Sequence, residues 1–173
     1  MSITLILGGA RSGKSMRAES LVKQSGKHVV YLATAPHIKH DEAWQQRIEH
    51  HRSRRPDDWQ CVEETLNIGD ILTSYSNKHI ILVDCMTLWL SNVIWKKRDV
   101  HEAVRSLCAT LKVAQADVVM VSNELGMGLV PETALSRIFR DEQGRLNQHL
   151  AALSEQVEFV VAGLPMMVKG EKR

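Results

Sequence analysis

A glycine-rich segment near the amino terminus, Gly8-Gly9-Ala10-Arg11-Ser12-Gly13-Lys14-Ser15, constrains this chain more than any other feature. It follows a short aliphatic run, Ile3–Leu7, and precedes a segment, Met16–Gln24, that can form a helix. Glycines let the backbone curl so closely that successive N–H groups converge on an anion, and the helix amino terminus favours negative charge. A strand, such a loop and a helix in this order predict a cradle for nucleotide phosphates, the P-loop.

Two side chains of the P-loop and one distant carboxylate predict how the phosphates and a metal ion are held. Lys14 is expected to reach the β- and γ-phosphates, and the Ser15 hydroxyl is expected to bind the Mg²⁺ that bridges them. Asp84 ends another aliphatic run, His79–Asp84, where this kind of site needs a carboxylate. The alternative for Asp84 is a cap of the helix that starts near Thr87.

Five aliphatic or β-branched runs predict strands, and the longer segments between them can supply helices. Alternating strands and helices predict an α/β fold of three layers, α/β/α, with a mainly parallel central sheet of the P-loop NTPase (RecA-like) kind, as a single domain over residues 1–173. The predicted strands are Ile3–Leu7, His28–Ala33, His79–Asp84, Asp117–Ser122 and Val157–Ala162.

Other segments add expectations about helices and strand ends. Met86–Trp95 and Val100–Ala114 are predicted helices, and an amphipathic helix is predicted after Pro131. Trp89 and Trp95 are expected in the core, with a surface for subunit contact as the alternative. Asn123 and Glu124 follow a strand and are candidate site residues, whereas Lys169–Arg173 is expected to be a charged tail.

The composition excludes some broad classes of function. Lysine and arginine number 22 against 20 aspartates and glutamates, so no overall positive charge favours nucleic acid as a partner. The sequence contains neither an apolar run long enough for a membrane span nor a typical leader, which predicts a soluble cytoplasmic protein. Cys61, Cys85 and Cys108 lack metal-ligand spacing and are expected to be reduced thiols.

The segment Asp41–Arg55 is unusual because it reads as a helix with few apolar residues. One of its faces would carry two imidazoles between two guanidiniums, from Arg47, His50, His51 and Arg54. Such a face suits an anion, although a solvated charged helix is the simpler alternative. Histidine there could act as a general base, a phosphate-binding cation or a nucleophile on phosphorus, and the pattern alone does not choose.

Several motifs occur together in one order and point to a known family. The chain resembles the bifunctional adenosylcobinamide kinase/adenosylcobinamide-phosphate guanylyltransferases of cobalamin biosynthesis, and the resemblance covers nearly its whole length. The motifs are the P-loop, Tyr31–Ala35, Arg47–Arg52 followed by Arg55, Pro56 and Trp59, Val121–Pro131, and Arg137–Gln148.

That resemblance implies two reactions and one covalent intermediate. The family phosphorylates adenosylcobinamide with ATP or GTP and then transfers GMP from GTP, with Mg²⁺, through a guanylylated histidine that corresponds to His50. It also implies a homotrimer. The nucleotide-binding positions expected here are Gly8, Gly9, Ala10, Arg11, Ser12, Gly13, Lys14, Ser15, Thr34, Ala35, Pro36, His51, Arg52, Ser53, Arg54, Glu63 and Asp84, with Ser15 and Asp84 as the metal ligands.

Two other functions fit the P-loop. A monofunctional small-molecule kinase would use His50 only to bind phosphate, and it would never carry a covalently bound nucleotide. A nucleotide-dependent module that contacts nucleic acid through the basic helix would bind with a steep dependence on salt. The near balance of charge disfavours this second alternative.

Overall fold

The computed structural model describes residues 1–36, 41–53 and 55–171. Within the helix Glu42–Ser53 it describes the backbone throughout but leaves out five side chains, those of Ala43, Trp44, Arg47, His50 and His51. The predicted cluster of Arg47, His50, His51 and Arg54 therefore lies outside the described side chains.

Strands and helices alternate along most of the chain, as the sequence predicts, except that the helix Met86–Trp95 is followed by the helix Val100–Val113 and the strand Gln156–Val161 by the strand Leu164–Lys169. None of the helices in the described ranges is both long and apolar enough to cross a membrane. The assignment of residues 1–173 to a single domain stays a prediction. The strands are β1 (Ile3–Gly8), β2 (His28–Ala33), β3 (Gln60–Glu63), β4 (His79–Asp84), β5 (Asp117–Asn123), β6 (Gln156–Val161) and β7 (Leu164–Lys169), and the helices are α1 (Lys14–Gln24), α2 (Glu42–Ser53), α3 (Ile68–Thr73), α4 (Met86–Trp95), α5 (Val100–Val113) and α6 (Ala134–Leu153).

Within the described residues, these strands form one sheet in the order β3-β2-β4-β5-β1-β6-β7. Every neighbouring pair is parallel except β6 and β7, which pair antiparallel. The P-loop strand β1 lies between β5 and β6, with Gly8 opposite Asn123 on one side and Val160 on the other. The predicted α/β fold with a mainly parallel sheet is confirmed.

The two faces of the sheet are covered by different helices. On one face, α3, α4, α5 and α6 pack against strand residues such as Leu5, and on the other α1 packs against residues such as Ile6. Burial on both faces explains why the strands are almost continuously apolar. Trp89 joins the first core as predicted, but Trp95 at the end of α4 is 82% exposed, so its core assignment is wrong.

The structure adds elements that the sequence pattern does not reveal. β3, α3 and β7 were not predicted. The predicted charged tail, Lys169–Arg173, has the wrong first residue, because Lys169 is the last residue of β7. The Nζ of Lys169 donates hydrogen bonds to the carbonyls of Ala151 and Ala152, at 2.9 and 3.2 Å. β7 therefore closes the sheet edge and is tied to the end of α6, where carbonyl groups lack partners within the helix.

A buried ion pair ties α1 to the sheet one turn after the P-loop. The guanidinium of Arg17 donates two hydrogen bonds of 2.7 Å to the carboxylate of Glu158 in β6. Glu158 is only 3% exposed, so its charge depends on this partner. The hydrogen bond to Glu158 raises the pKa of Arg17 above its usual value.

Replacing Arg17 by methionine is expected to destabilise the fold because it leaves the Glu158 carboxylate buried without a cation. The free energy of unfolding should fall by about 3 kcal/mol, the low end of the range for a broken buried pair, because Arg17 is itself partly exposed. Urea unfolding measures this change. Arg105→Met is the matched control, since Arg105 pairs with Glu102 on the surface. Its loss should leave the urea midpoint of unfolding unchanged. Equal urea midpoints for the two variants would contradict the prediction.

Candidate functional site

The P-loop joins β1 to α1 through backbone that requires glycine at two positions. A Cβ atom on Gly8 would lie 2.5 Å from Ser12 Oγ and 2.7 Å from the carbonyl oxygen of Val160, so a side chain there would collide. Gly13 has a φ of 96°, a conformation that residues with a side chain rarely adopt. Gly8 and Gly13 are therefore explained by this local geometry, whereas a Cβ on Gly9 would meet nothing within 4 Å.

The turn between β6 and β7 supports the P-loop from outside. The N–H of Gly163 donates a hydrogen bond of 2.8 Å to the carbonyl of Ser12. A Cβ on Gly13 would lie 3.1 Å from the Cα of Gly163, so the two backbones are in close contact. The position of the P-loop thus depends on a turn that lies about 150 residues further along the chain.

The electrostatics of the P-loop suit an anion. The first turn of α1 contains no acidic residue, so no side chain neutralises the positive end of its dipole. Lys14 is 8% exposed, and its Nζ donates a hydrogen bond of 2.9 Å to the carbonyl of Gly9. Ser12 Oγ is buried and finds no hydrogen-bond partner among the described residues. Phosphate oxygens supply the acceptors that these groups need.

One cavity opens beside the P-loop, along the edge of the sheet where the parallel strands end. It brings together residues from the P-loop, from the ends of β2, β3, β4 and β5, and from α2 and α4. Ligands of open α/β folds bind at this edge. The lining residues are Lys14, Ser15, Tyr31, Ala33, Ala35, Ile48, Arg52, Arg55, Glu63, Asp84, Cys85, Thr87, Leu88 and Asn123.

Asp84 faces this cavity and is held by Tyr31. The Tyr31 hydroxyl donates a hydrogen bond of 2.8 Å to Asp84 Oδ2. Burial, and then the charge of Asp84, raises the pKa of Tyr31, so the phenol remains a donor. The alternative role for Asp84 as the helix cap is wrong, because the N-cap of α4 is Cys85.

The loop after β4 is fixed by Thr34 at the end of β2. The hydroxyl of Thr34 accepts a hydrogen bond of 2.9 Å from the N–H of Cys85 and donates one of 2.7 Å to the Cys85 carbonyl. Thr34 is fully buried, and these two bonds use its hydroxyl in support of the loop. Its predicted contact with nucleotide stays a prediction.

Helix α2 contributes to the same cavity. Ile48 and Arg52, four positions apart and hence on one face of the helix, both line it. Arg52 forms an ion pair of 3.0 Å with Glu63 at the end of β3, and both side chains are partly exposed. Arg55, just after α2, lies with its Cζ 3.6 Å from the centre of the Tyr31 ring.

Some of the predicted site residues line the cavity and others do not. Glu124 does not line the cavity, because its carboxylate accepts hydrogen bonds from the N–H groups of Gly126 and Met127. Asn123 does line it, as the sequence suggested. Sequence reasoning gave no site role to Tyr31, Arg55, Cys85, Thr87 or Leu88; of these, Tyr31 and Arg55 belong to the motifs that carry the resemblance. Of the predicted nucleotide-binding residues, the lining includes Lys14, Ser15, Ala35, Arg52, Glu63 and Asp84.

The predicted metal ligands lie on this common cavity. The Ser15 hydroxyl and the Asp84 carboxylate are oxygen donors, which is the donor type that Mg²⁺ prefers in nucleotide sites. The residues present therefore fit a magnesium ion bound together with phosphate.

Comparisons of the sequence identify similar proteins. A family model described as "Cobinamide kinase / cobinamide phosphate guanyltransferase" matches residues 4–168. The bifunctional adenosylcobalamin biosynthesis protein CobP of Pseudomonas aeruginosa is 44% identical over 170 residues, which cover 96% of this chain and 97% of that protein. The bifunctional protein CobU of Escherichia coli K12 is 38% identical over 181 residues, with 95% of this chain and 98% of that protein covered.

Comparisons of the structure extend to more distant proteins. An ATPase from the type III secretion system of pathogenic bacteria superposes with a TM-score of 0.62 at 9% identity, covering 96% of this chain and 56% of that one. The ATPase EscN of enteropathogenic E. coli gives a TM-score of 0.57 at 9% identity, covering 93% of this chain and 43% of that one. At such low identity these likenesses show the fold alone.

The three cysteines are expected to differ in reactivity towards iodoacetamide. Burial, and then the charge of Asp84, raises the pKa of the Cys85 thiol to about 11, so at pH 8 it is protonated and a poor nucleophile. Burial also raises the pKa of Cys108, whereas Cys61 is exposed. Peptide mass mapping should find Cys61 alkylated first and Cys85 last. In urea all three should react alike, and early alkylation of Cys85 in the folded protein would contradict the described environment.

Proposed function

Because the chain belongs to the cobinamide kinase/cobinamide phosphate guanyltransferase family, we propose that it performs both reactions at the cavity beside the P-loop. In the first, ATP or GTP phosphorylates the aminopropanol hydroxyl of adenosylcobinamide. In the second, GTP donates GMP to that phosphate through a guanylyl-histidine on His50. The products are adenosylcobinamide-GDP and pyrophosphate.

One observation supports this proposal above the others, namely that α2 borders the same cavity as the P-loop. Ile48 and Arg52 line the cavity together with Lys14 and Ser15. His50 belongs to the same helix, but positions two residues apart lie on different sides of a helix, so the approach of its imidazole to the phosphates is itself part of the proposal. A helix that carries the proposed nucleophile therefore runs along the wall of the cavity in which nucleotide phosphates are expected.

The kinase step needs positioning and neutralisation of charge. The P-loop N–H groups and Lys14 would hold the triphosphate so that the terminal phosphorus faces the substrate hydroxyl. Ser15 and Asp84 would hold Mg²⁺, which neutralises phosphate charge when bound. In this step the hydroxyl oxygen forms a bond to the γ-phosphorus and its proton is released to solvent. The bond from that phosphorus to the oxygen that bridges the β- and γ-phosphates breaks, and the nucleoside diphosphate leaves.

The guanylyl step divides one displacement into two. A neutral imidazole nitrogen of His50 attacks the α-phosphorus of GTP, and pyrophosphate leaves. An oxygen of adenosylcobinamide phosphate then attacks the same phosphorus, which breaks the phosphorus–nitrogen bond and restores His50. Arg47, Arg52 and Arg54 are the proposed cations for the charge on the phosphates.

Labelling with GTP tests the covalent intermediate directly. The protein is incubated with Mg²⁺ and GTP labelled at the α-phosphate, without corrinoid, and the label on denatured protein is counted. Wild type and His51→Ala should carry label that is labile to acid and stable to alkali, as a phosphorus–nitrogen bond is. His50→Ala should carry none, because the nucleophile is absent.

Two outcomes of the labelling experiment would contradict the proposed role of His50. An unlabelled wild type that still binds GTP would favour a monofunctional kinase. Label that persists in His50→Ala and disappears in His51→Ala would move the nucleophile to the neighbouring histidine.

We also propose that the chain assembles as a homotrimer, as the family resemblance implies. Apolar side chains between residues 127 and 138 support an interface between subunits. Met127 is 79% exposed, Leu129 96%, Val130 66%, Leu135 62% and Ile138 54%. Exposed apolar groups at this density are typical of surfaces that another protein covers.

Light scattering on the eluting protein tests the trimer. Wild type should have close to three times the chain mass of 19.5 kDa, and Leu129→Glu should shift the protein towards the monomer because it places a charge in an apolar contact. Val113→Glu is the matched control at an exposed apolar residue of α5 and should keep the wild-type mass. A monomeric wild type would refute the trimer.

A further inference from the structure

Tyr31 lies in the middle of β2 and reaches the end of the neighbouring strand β4. In the parallel pair, Tyr31 is opposite Leu82 and Ala33 is opposite Asp84, so the tyrosine and the aspartate share one face of the sheet, two positions apart. The hydroxyl spans this diagonal and donates a hydrogen bond of 2.8 Å to Asp84 Oδ2. Donor and acceptor are therefore attached to two neighbouring strands that each have a partner on both sides.

The ring of Tyr31 is itself fixed. It is 2% exposed, and the ring of Trp59 stacks with it at a centroid distance of 6.4 Å and an interplanar angle of 25°. The guanidinium carbon of Arg55 lies 3.6 Å from the ring centre, within the range of a cation–π contact. With its ring held in this way, the hydroxyl oxygen is fixed within hydrogen-bond distance of Asp84.

We propose that Tyr31 is a positioning residue that orients the Asp84 carboxylate towards the magnesium ion of the bound nucleotide. This inference rests on the proposed function, because it assumes that Asp84 takes part in holding Mg²⁺. A hydrogen bond to one oxygen of a ligating carboxylate fixes the plane of the carboxylate and so the direction of its lone pairs. Arg55 lies two positions after the last residue of α2, so the same tyrosine also contacts the segment that follows that helix.

Tyr31→Phe separates this role from simple packing. Phenylalanine keeps the ring, its burial, the stack on Trp59 and the contact with Arg55, and it removes only the hydroxyl. Tyr75→Phe is the matched control, because Tyr75 is the other of the two tyrosines in the chain and its ring lies beside His79, not beside Asp84. Both variants are expected to fold, which circular dichroism checks.

The measurement is GTP affinity by calorimetry at increasing MgCl₂ and again in EDTA, with every protein also carrying His50→Ala so that GTP is not consumed by guanylyl transfer to the histidine. The Mg²⁺ concentration that gives half of the maximal gain in GTP affinity should be about tenfold higher for Tyr31→Phe than for wild type. Losing a hydrogen bond to a metal-ligating group typically weakens metal binding by at least this factor. Its affinity for GTP in EDTA should equal that of wild type. Tyr75→Phe should match wild type under both conditions, and in an Asp84→Asn background the Tyr31→Phe exchange should have no further effect.

Each contrary result has a definite meaning. An unchanged Mg²⁺ requirement in Tyr31→Phe would overturn the positioning role and leave the proposed function intact. An equal loss of affinity in Mg²⁺ and in EDTA would show that the hydroxyl shapes the cavity in general, which overturns it as well. A wild type that binds no GTP under either condition would overturn the proposed function together with this inference.

Discussion

The parallel pairing of β1 with β5 and β6 is the constraint on which the rest of the structure depends. Strands that run in one direction end at one edge of the sheet, so the polar residues that follow them meet there. Helices cover both faces of the sheet, and the loops at this edge are therefore left to carry polar groups that contact a ligand. Lys14, Asp84 and Asn123 come from three separate segments and still line one cavity for this reason.

Much of the fold could be predicted because buried parallel strands have a plain pattern. β2 and β4 match their predicted bounds residue for residue, since each has an unbroken run of apolar side chains after its first residue, a histidine. β3 and β7 lie at the two edges of the sheet, where this pattern weakens. β7 contains Pro165, which is tolerated in an edge strand but argues against a strand in sequence. The six residues of α3 are too few to show a helical period.

The site could be predicted only where a local motif or a strand end specifies it. The P-loop could be predicted from its glycine-rich motif, and Asp84 from its position at the end of a predicted strand. The contact of Tyr31 with Asp84 joins residues 53 positions apart, and it depends on β2 lying next to β4, which the sequence pattern does not specify. Arg55 reaches Tyr31 only because the chain returns to the sheet after α2, a path that no periodicity reveals.

The turn at Gly163 has a consequence for the time at which the phosphate cradle forms. The ribosome makes residues 8–15 before the strands on either side of β1 and the turn that supports the loop, which lie between residues 117 and 163. A nascent chain thus carries the motif long before it carries the neighbours that hold its shape. Formation of the cradle therefore depends on synthesis as far as residue 163, and a translation product that stops earlier lacks the contacts that hold the loop in shape.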